Sequence, residues 1–137
     1  MVKQDEPVER NAGRERLPRS ARLRSSRDFQ QVWRSGRRTS GTLVTLVYGR
    51  QPVESATTRA GFSISKRVGN AVLRNRVKRR MRDIFRRQRT ELALGWDLVF
   101  SAKPAAGQAS YSALADEIGL LITRAGLHGD QDNRGQQ

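Results

Sequence analysis

Apolar and polar positions alternate along this chain in two distinct periods, and together they predict six elements. The first is a short helix. Ser25 or Ser26 can cap it, Asp28 sits in its first turn, and Phe29, Val32 and Trp33 fall at i, i+3 and i+4 on one face. It is expected to end near Trp33, with Gly36 as its stop. Leu43 to Tyr48 reads as a strand, and Gln51 to Thr58, with Pro52, as a loop. Arg59 to Ser65 then alternates with period two, Ala60, Phe62 and Ile64 on one side and Arg59, Gly61, Ser63 and Ser65 on the other. If the two strands pair antiparallel, Val44, Leu46 and Tyr48 share the apolar side. Thr45 and Val47 then join Ser63 on a smaller, more polar face that could hold a ligand.

After Gly69-Asn70 the period becomes helical. Leu73, Val77, Met81, Ile84 and Phe85 lie within an arc of roughly 120° when residues advance by about 100°. Gly95 breaks this helix. Trp96 to Ser101 reads as a short buried strand, closed by Lys103-Pro104. A last helix runs from Ser110 to about Ala125, with Leu114, Ile118, Leu121 and Ile122 inward, Asp116 and Glu117 outward, and Gly126 as its stop. The expected fold is a two-layer α/β domain over residues 20–127. Residues 1–19 read as a flexible arm and 128–137 as a disordered polar tail.

Charge changes this picture most. The 137 residues hold 27 Lys+Arg against 13 Asp+Glu, a net charge of +14. Ten of these bases (66, 67, 74, 76, 78, 79, 80, 82, 86 and 87) lie between Lys66 and Arg87, against the single acid Asp83. Such an excess calls for a polyanionic partner. No apolar run approaches the ~18 residues that span a bilayer, so nucleic acid leads over membrane. Cysteine is absent, which removes disulfides and thiolate chemistry and fits a cytoplasmic setting. Arg74 stands out, because its helical angle puts it inside the apolar arc. Phe29 and Trp33, flanked by Arg27, Arg34, Arg37 and Arg38, can be core residues or a surface on which bases stack.

Catalysis by the polypeptide itself is not expected. The ordered acids are scattered, with no metal-ligand spacing beyond the adjacent Asp116 and Glu117, and His128 is the only histidine. No glycine-rich phosphate loop is present.

The central block reads Ser65-Lys66-Arg67, Gly69-Asn70-Ala71-Val72, Arg74-Asn75-Arg76 and Lys78-Arg79, then Arg82 and Phe85. With Asp28-Phe29 and Trp33 upstream and Asp97-Leu98-Val99 downstream, it resembles the bacterial ribonuclease P protein component. The resemblance implies an α-β sandwich like the second domain of ribosomal protein S5, a mixed sheet and a left-handed βαβ crossover carrying the basic helix. It implies that a catalytic RNA subunit, with bound divalent metal such as Mg²⁺, removes the 5′ leader of precursor tRNA; neither DNA nor membrane is an expected partner. Arg74, Asn75, Arg76, Lys78, Arg79 and Arg82 would contact that RNA. Phe29, Trp33, Thr45, Val47, Ser63, Lys66 and Arg67 would form the leader cleft. The protein's own metal ligands are not identified by the resemblance.

Overall fold

A computed structural model describes residues 16–53 and 56–129. Its regular elements are α1 (Ser26–Ser35), β1 (Arg37–Ser40), β2 (Val44–Arg50), β3 (Arg59–Ile64), α2 (Ala71–Gln88), β4 (Trp96–Ala102) and α3 (Tyr111–Ala125). Each helix starts on a side-chain cap. Ser25 Oγ accepts from the amides of Arg27 and Asp28, Asn70 Oδ1 from Leu73, and Ser110 Oγ from Ala113. Gly126 ends α3 at φ 72°, a left-handed conformation that glycine adopts without steric cost.

The sheet order is β1-β2-β4-β3. β4 pairs antiparallel with β2 and parallel with β3, so it separates the two strands expected to be neighbours. The anticipated faces survive this correction, because β4 preserves the alternation on both sides. Val44, Leu46, Ala60, Leu98, Phe100 and Ala102 are buried under α2 and α3, together with Val77, Met81, Ile84, Phe85, Leu114, Ile118, Leu121 and Ile122. Phe62, Phe85 and Phe100 form an aromatic knot in this layer, their ring centroids 5.8–6.3 Å apart.

The opposite face is covered only in part. Helix α1 lies on it, and Val32, Leu23, Val47 and Val99 make a small second core with Phe29 at its margin. The two expected layers therefore gain a partial third, since the apolar positions on α1 need their own sheet face.

Three further expectations are corrected. The strand β1 was not anticipated, because Arg37-Arg38-Thr39-Ser40 has no apolar period; it is held by pairing with β2. The folded chain starts earlier and ends later than 20–127. Leu17 and Ala21 are buried in the main core, and His128 bridges to Leu92 and meets Thr123 Oγ1 at 3.0 Å. The remainder of the expected arm (1–15) and tail (130–137) lies outside the described residues. Finally, Glu117 does not face outward. Its Oε2 accepts the amides of Leu43 and Val44 at 2.8 and 2.7 Å, tying α3 to the start of β2.

Candidate nucleic-acid interface

Two surfaces of opposite character share this scaffold. The first is the outer side of α2. Its apolar stripe anchors it, leaving Asn75, Arg76 and Arg79 exposed and Arg74, Lys78 and Arg82 half-buried. None of these five basic side chains makes a hydrogen bond or ion pair with the described residues. By contrast, Arg80 donates to the Ala109 carbonyl, and Arg86 and Arg87 both bind Asp83. The helix thus sorts its cations into those used by the fold and those with no acceptor among the described residues. Arg74 is the extreme case, because its Nε is buried and has no acceptor. An unpaired buried donor costs about 1–3 kcal/mol, and more when charged. Arg82 is held below the ordinary arginine range, first by burial and then by repulsion from Arg22.

The second surface lies across the sheet, between α1 and β3. A cavity of about 280 Å³ opens there, lined by Phe29, Gln30, Trp33, Arg34 and Ser63. The Phe29 and Trp33 rings are near-parallel, 15° apart with centroids at 6.5 Å, and Trp33 remains 39% exposed. Gly61 allows this approach, since a Cβ there would sit 3.2 Å from Phe29 Cδ2. Lys66 and Arg67 are exposed in the turn just after β3, where Ser65 Oγ accepts the Arg67 amide.

Of the residues expected in the cleft, Phe29, Trp33 and Ser63 line one cavity. Lys66 and Arg67 lie at the end of the strand that carries Ser63. Thr45 is half-buried on the same sheet face, where its hydroxyl meets that of Ser40 at 2.8 Å. Val47 is a correction. It is 0% exposed, because α1 packs directly over it, and it belongs to the small core.

Relatives and solved structures identify the family and the fold. The family model for Ribonuclease P matches residues 17–126. The ribonuclease P protein component of a Nocardioides species is 40% identical over 111 residues, covering 80% of this chain and 95% of that relative. That of Acidothermus cellulolyticus is 37% identical over 108 residues, covering 79% and 90%. The chain belongs to the ribonuclease P protein family. The RNase P protein of Staphylococcus aureus superimposes with a TM-score of 0.72 at 24% identity, over 80% of this chain and 98% of that one. That of Thermotoga maritima gives 0.64 at 24% identity, over 73% and 94%. Both have the same fold.

In this ribonuclease P protein, the structure adds contacts of two arginines near α1 that the sequence reading did not place. Arg38 on β1 donates to the Trp33 carbonyl at 2.6 Å, and its guanidinium lies 4.9 Å from the centre of the Trp33 ring. Arg59 forms two hydrogen bonds to Asp97, at 2.9 and 2.8 Å, and an ion pair at 3.5 Å with Asp28 in the first turn of α1. The bonds to Asp97 keep the Arg59 guanidinium above its ordinary range despite burial. Arg59 therefore fastens the first turn, next to Phe29, to the central strand. The sequence showed the individual charges, but only the register brings Arg59 opposite Asp97. Among the described residues, no group of three or more His, Cys, Asp or Glu is arranged to hold a metal, and no helix is long and apolar enough to cross a membrane.

Proposed function

We propose that this chain is the protein subunit of a cytoplasmic bacterial ribonuclease P. It works with the catalytic RNA subunit in removing the 5′ leader from precursor tRNA. The observation that carries the reading is α2 itself: one side is locked into the core, while Arg74, Arg76, Lys78, Arg79 and Arg82 have no acceptor among the described residues. With Asn75, these residues dock the RNA subunit, whose phosphates supply the missing acceptors. The divalent metal of the reaction, Mg²⁺, belongs chiefly to that RNA.

The cavity between α1 and β3 takes the leader. Phe29 and Trp33 offer faces on which bases of any identity can stack, Ser63 lies on its sheet side with Thr45 two strands farther across the same face, and Lys66 and Arg67 meet phosphates at its mouth. Contacts of this kind carry little base information, which suits an enzyme that meets many leaders. In the same reading the scaffold is of the ribosomal protein S5 domain 2 type, with a left-handed β3-α2-β4 crossover. The parallel pairing of β3 with β4 and membership of the family support it.

The test is incubation of precursor tRNA at low Mg²⁺ with the protein, with a bacterial ribonuclease P RNA, and with both. Faster cleavage by the mixture than by the RNA, and none by the protein, is the expected result. Cleavage by the protein alone would assign it a nuclease site of its own. No gain on adding protein to the RNA would instead make it a general RNA chaperone.

A further inference from the structure

The strand register brings four hydroxyl side chains into one row across the whole sheet. Ser40 of β1 opposes Thr45 of β2, Thr45 opposes Ser101 of β4, and Ser101 opposes Ser63 of β3. Directly opposed residues project to the same face. This face is the one that carries α1, because the neighbouring row, Val47, Val99 and Gly61, lies beneath that helix and touches it. The hydroxyl row is thus one register step beyond the helix, on the open part of the sheet. Three strand spacings make it about 14 Å long. Its β3 end is in the cavity, where Ser63 sits beside Phe29 and Trp33.

A folding role does not account for the row. Ser40 and Thr45 satisfy each other at 2.8 Å. The hydroxyls of Ser63 and Ser101 make no hydrogen bond with the described residues, although both side chains are only half-exposed. At Ser101, on the central strand β4, valine or isoleucine would suit the sheet better, as the adjacent Val99 illustrates.

We infer that this row reads the ribose of the leader. A serine or threonine hydroxyl both donates and accepts, which matches the 2′-hydroxyl that distinguishes RNA from DNA. The aromatics of α1 hold the bases by their faces, and a polar floor under the strand of RNA meets the sugars. Phosphates are left to Lys66 and Arg67. The groove would then select the backbone of RNA while ignoring the order of its bases. This rests on the leader-cleft reading and adds a chemical selectivity to it.

The experiment uses holoenzyme reconstituted from the full chain and a bacterial ribonuclease P RNA. Two precursor tRNAs are compared, identical except that the leader is ribose in one and 2′-deoxyribose in the other; the RNA subunit alone is the reference. We expect the protein to add about a fivefold preference for the ribose leader in equilibrium binding, the worth of one net hydrogen bond. The double variant Ser63→Ala/Ser101→Ala should lose that added preference. Ser63→Thr/Ser101→Thr, which keeps both hydroxyls on strands that favour threonine, should retain it. No added preference in the wild-type holoenzyme, or one unchanged in the alanine variant, overturns the inference. Phe29→Ala separates this from failure of the cleft itself. If Phe29→Ala weakens leader binding while the alanine pair does not alter the sugar preference, only the hydroxyl row is wrong. If Phe29→Ala also has no effect on leader-bearing substrate, the cleft reading falls with it.

Discussion

Replacing Arg59 by alanine should loosen α1 from the sheet and weaken leader binding through that loosening. Arg59 gives two charge-assisted hydrogen bonds to Asp97, which is 8% exposed, and reaches Asp28 at 3.5 Å. Hydrogen bonds to charged groups contribute about 1.5–3 kcal/mol each, and stranding a buried partner costs about 3–5 kcal/mol. The Arg59 side chain is itself 30% exposed, so water can enter and relieve part of this. The outer link to Asp28, whose side chain is 42% exposed, adds about 0.2–1 kcal/mol. We therefore expect a loss of about 2–3 kcal/mol, or a fall of about 8–12 °C in the melting midpoint of a domain this size. Arg59→Lys should recover only part, since an ammonium cannot reproduce the two-pronged contact. Asp28→Asn should cost less than about 1 kcal/mol. Well below its midpoint, Arg59→Ala should bind leader-bearing precursor more weakly while mature tRNA binding stays near wild type. A melting midpoint within about 2 °C of wild type refutes the clamp. Loss of stability with the leader preference intact refutes its link to the cleft.

Phe29→Ala should weaken binding of precursor tRNA by about 1–3 kcal/mol, the usual worth of a stacked base, and leave mature tRNA little changed in a filter-binding comparison. Arg76→Ala, on the exposed side of α2, should lower the slope of log affinity against log salt by about 0.7–0.9 in titrations with the RNA subunit. Glu117→Gln should cost about 1–2 kcal/mol in denaturant unfolding, because a neutral amide replaces the carboxylate that accepts two amides at 2.7–2.8 Å. Tyr111→Phe tests a pH-dependent contact. Burial alone would raise the Asp83 pKa, but hydrogen bonds from Tyr111, Arg86 and Arg87 outweigh it and hold the carboxyl below its ordinary range. Its stabilising effect is therefore complete above the unfolded value of about 4 and is lost as pH falls through the lower folded value. The stability gap between wild type and Tyr111→Phe should be about 1 kcal/mol near pH 7 and close up in more acid solution.

The helices were legible because their signals are local. Caps, the stops at Gly36 and Gly126 and the stripe Val77, Met81, Ile84 and Phe85 all act within a few residues of one another, whereas α2 ends at Gln88, well before the Gly95 expected to stop it. The two sheet faces were legible for the same reason, as alternation needs no knowledge of pairing. Strand order was not, because nothing in Val44–Arg50 or Arg59–Ile64 announces that Trp96–Ala102 will insert between them. The errors at the site follow from that gap. Val47 was expected in the cleft from its sheet face and from the family resemblance, but its burial depends on where α1 crosses the sheet. Ser101 and Ser40 could not be joined to Thr45 and Ser63 before the register was known. Arg38 was visible as a nearby base, yet its position over Trp33 arises from β1, a strand with no apolar pattern to betray it.

The central position of β4 also has a consequence in time. Both of its neighbours precede it in the chain, and β3 and β2 do not pair with each other. During synthesis from the N-terminus, α1, the first three strands and the whole of α2 emerge before the strand that unites them. The basic helix is then exposed with its apolar stripe uncovered, and the halves of the cleft have no common support. Closing the sheet requires contacts across long stretches of sequence, a topology that folds slowly. A nascent chain stopped short of Trp96 should therefore be protease-sensitive and stick to RNA without discrimination. The groove between α1 and the sheet comes into being only once the last strand is released.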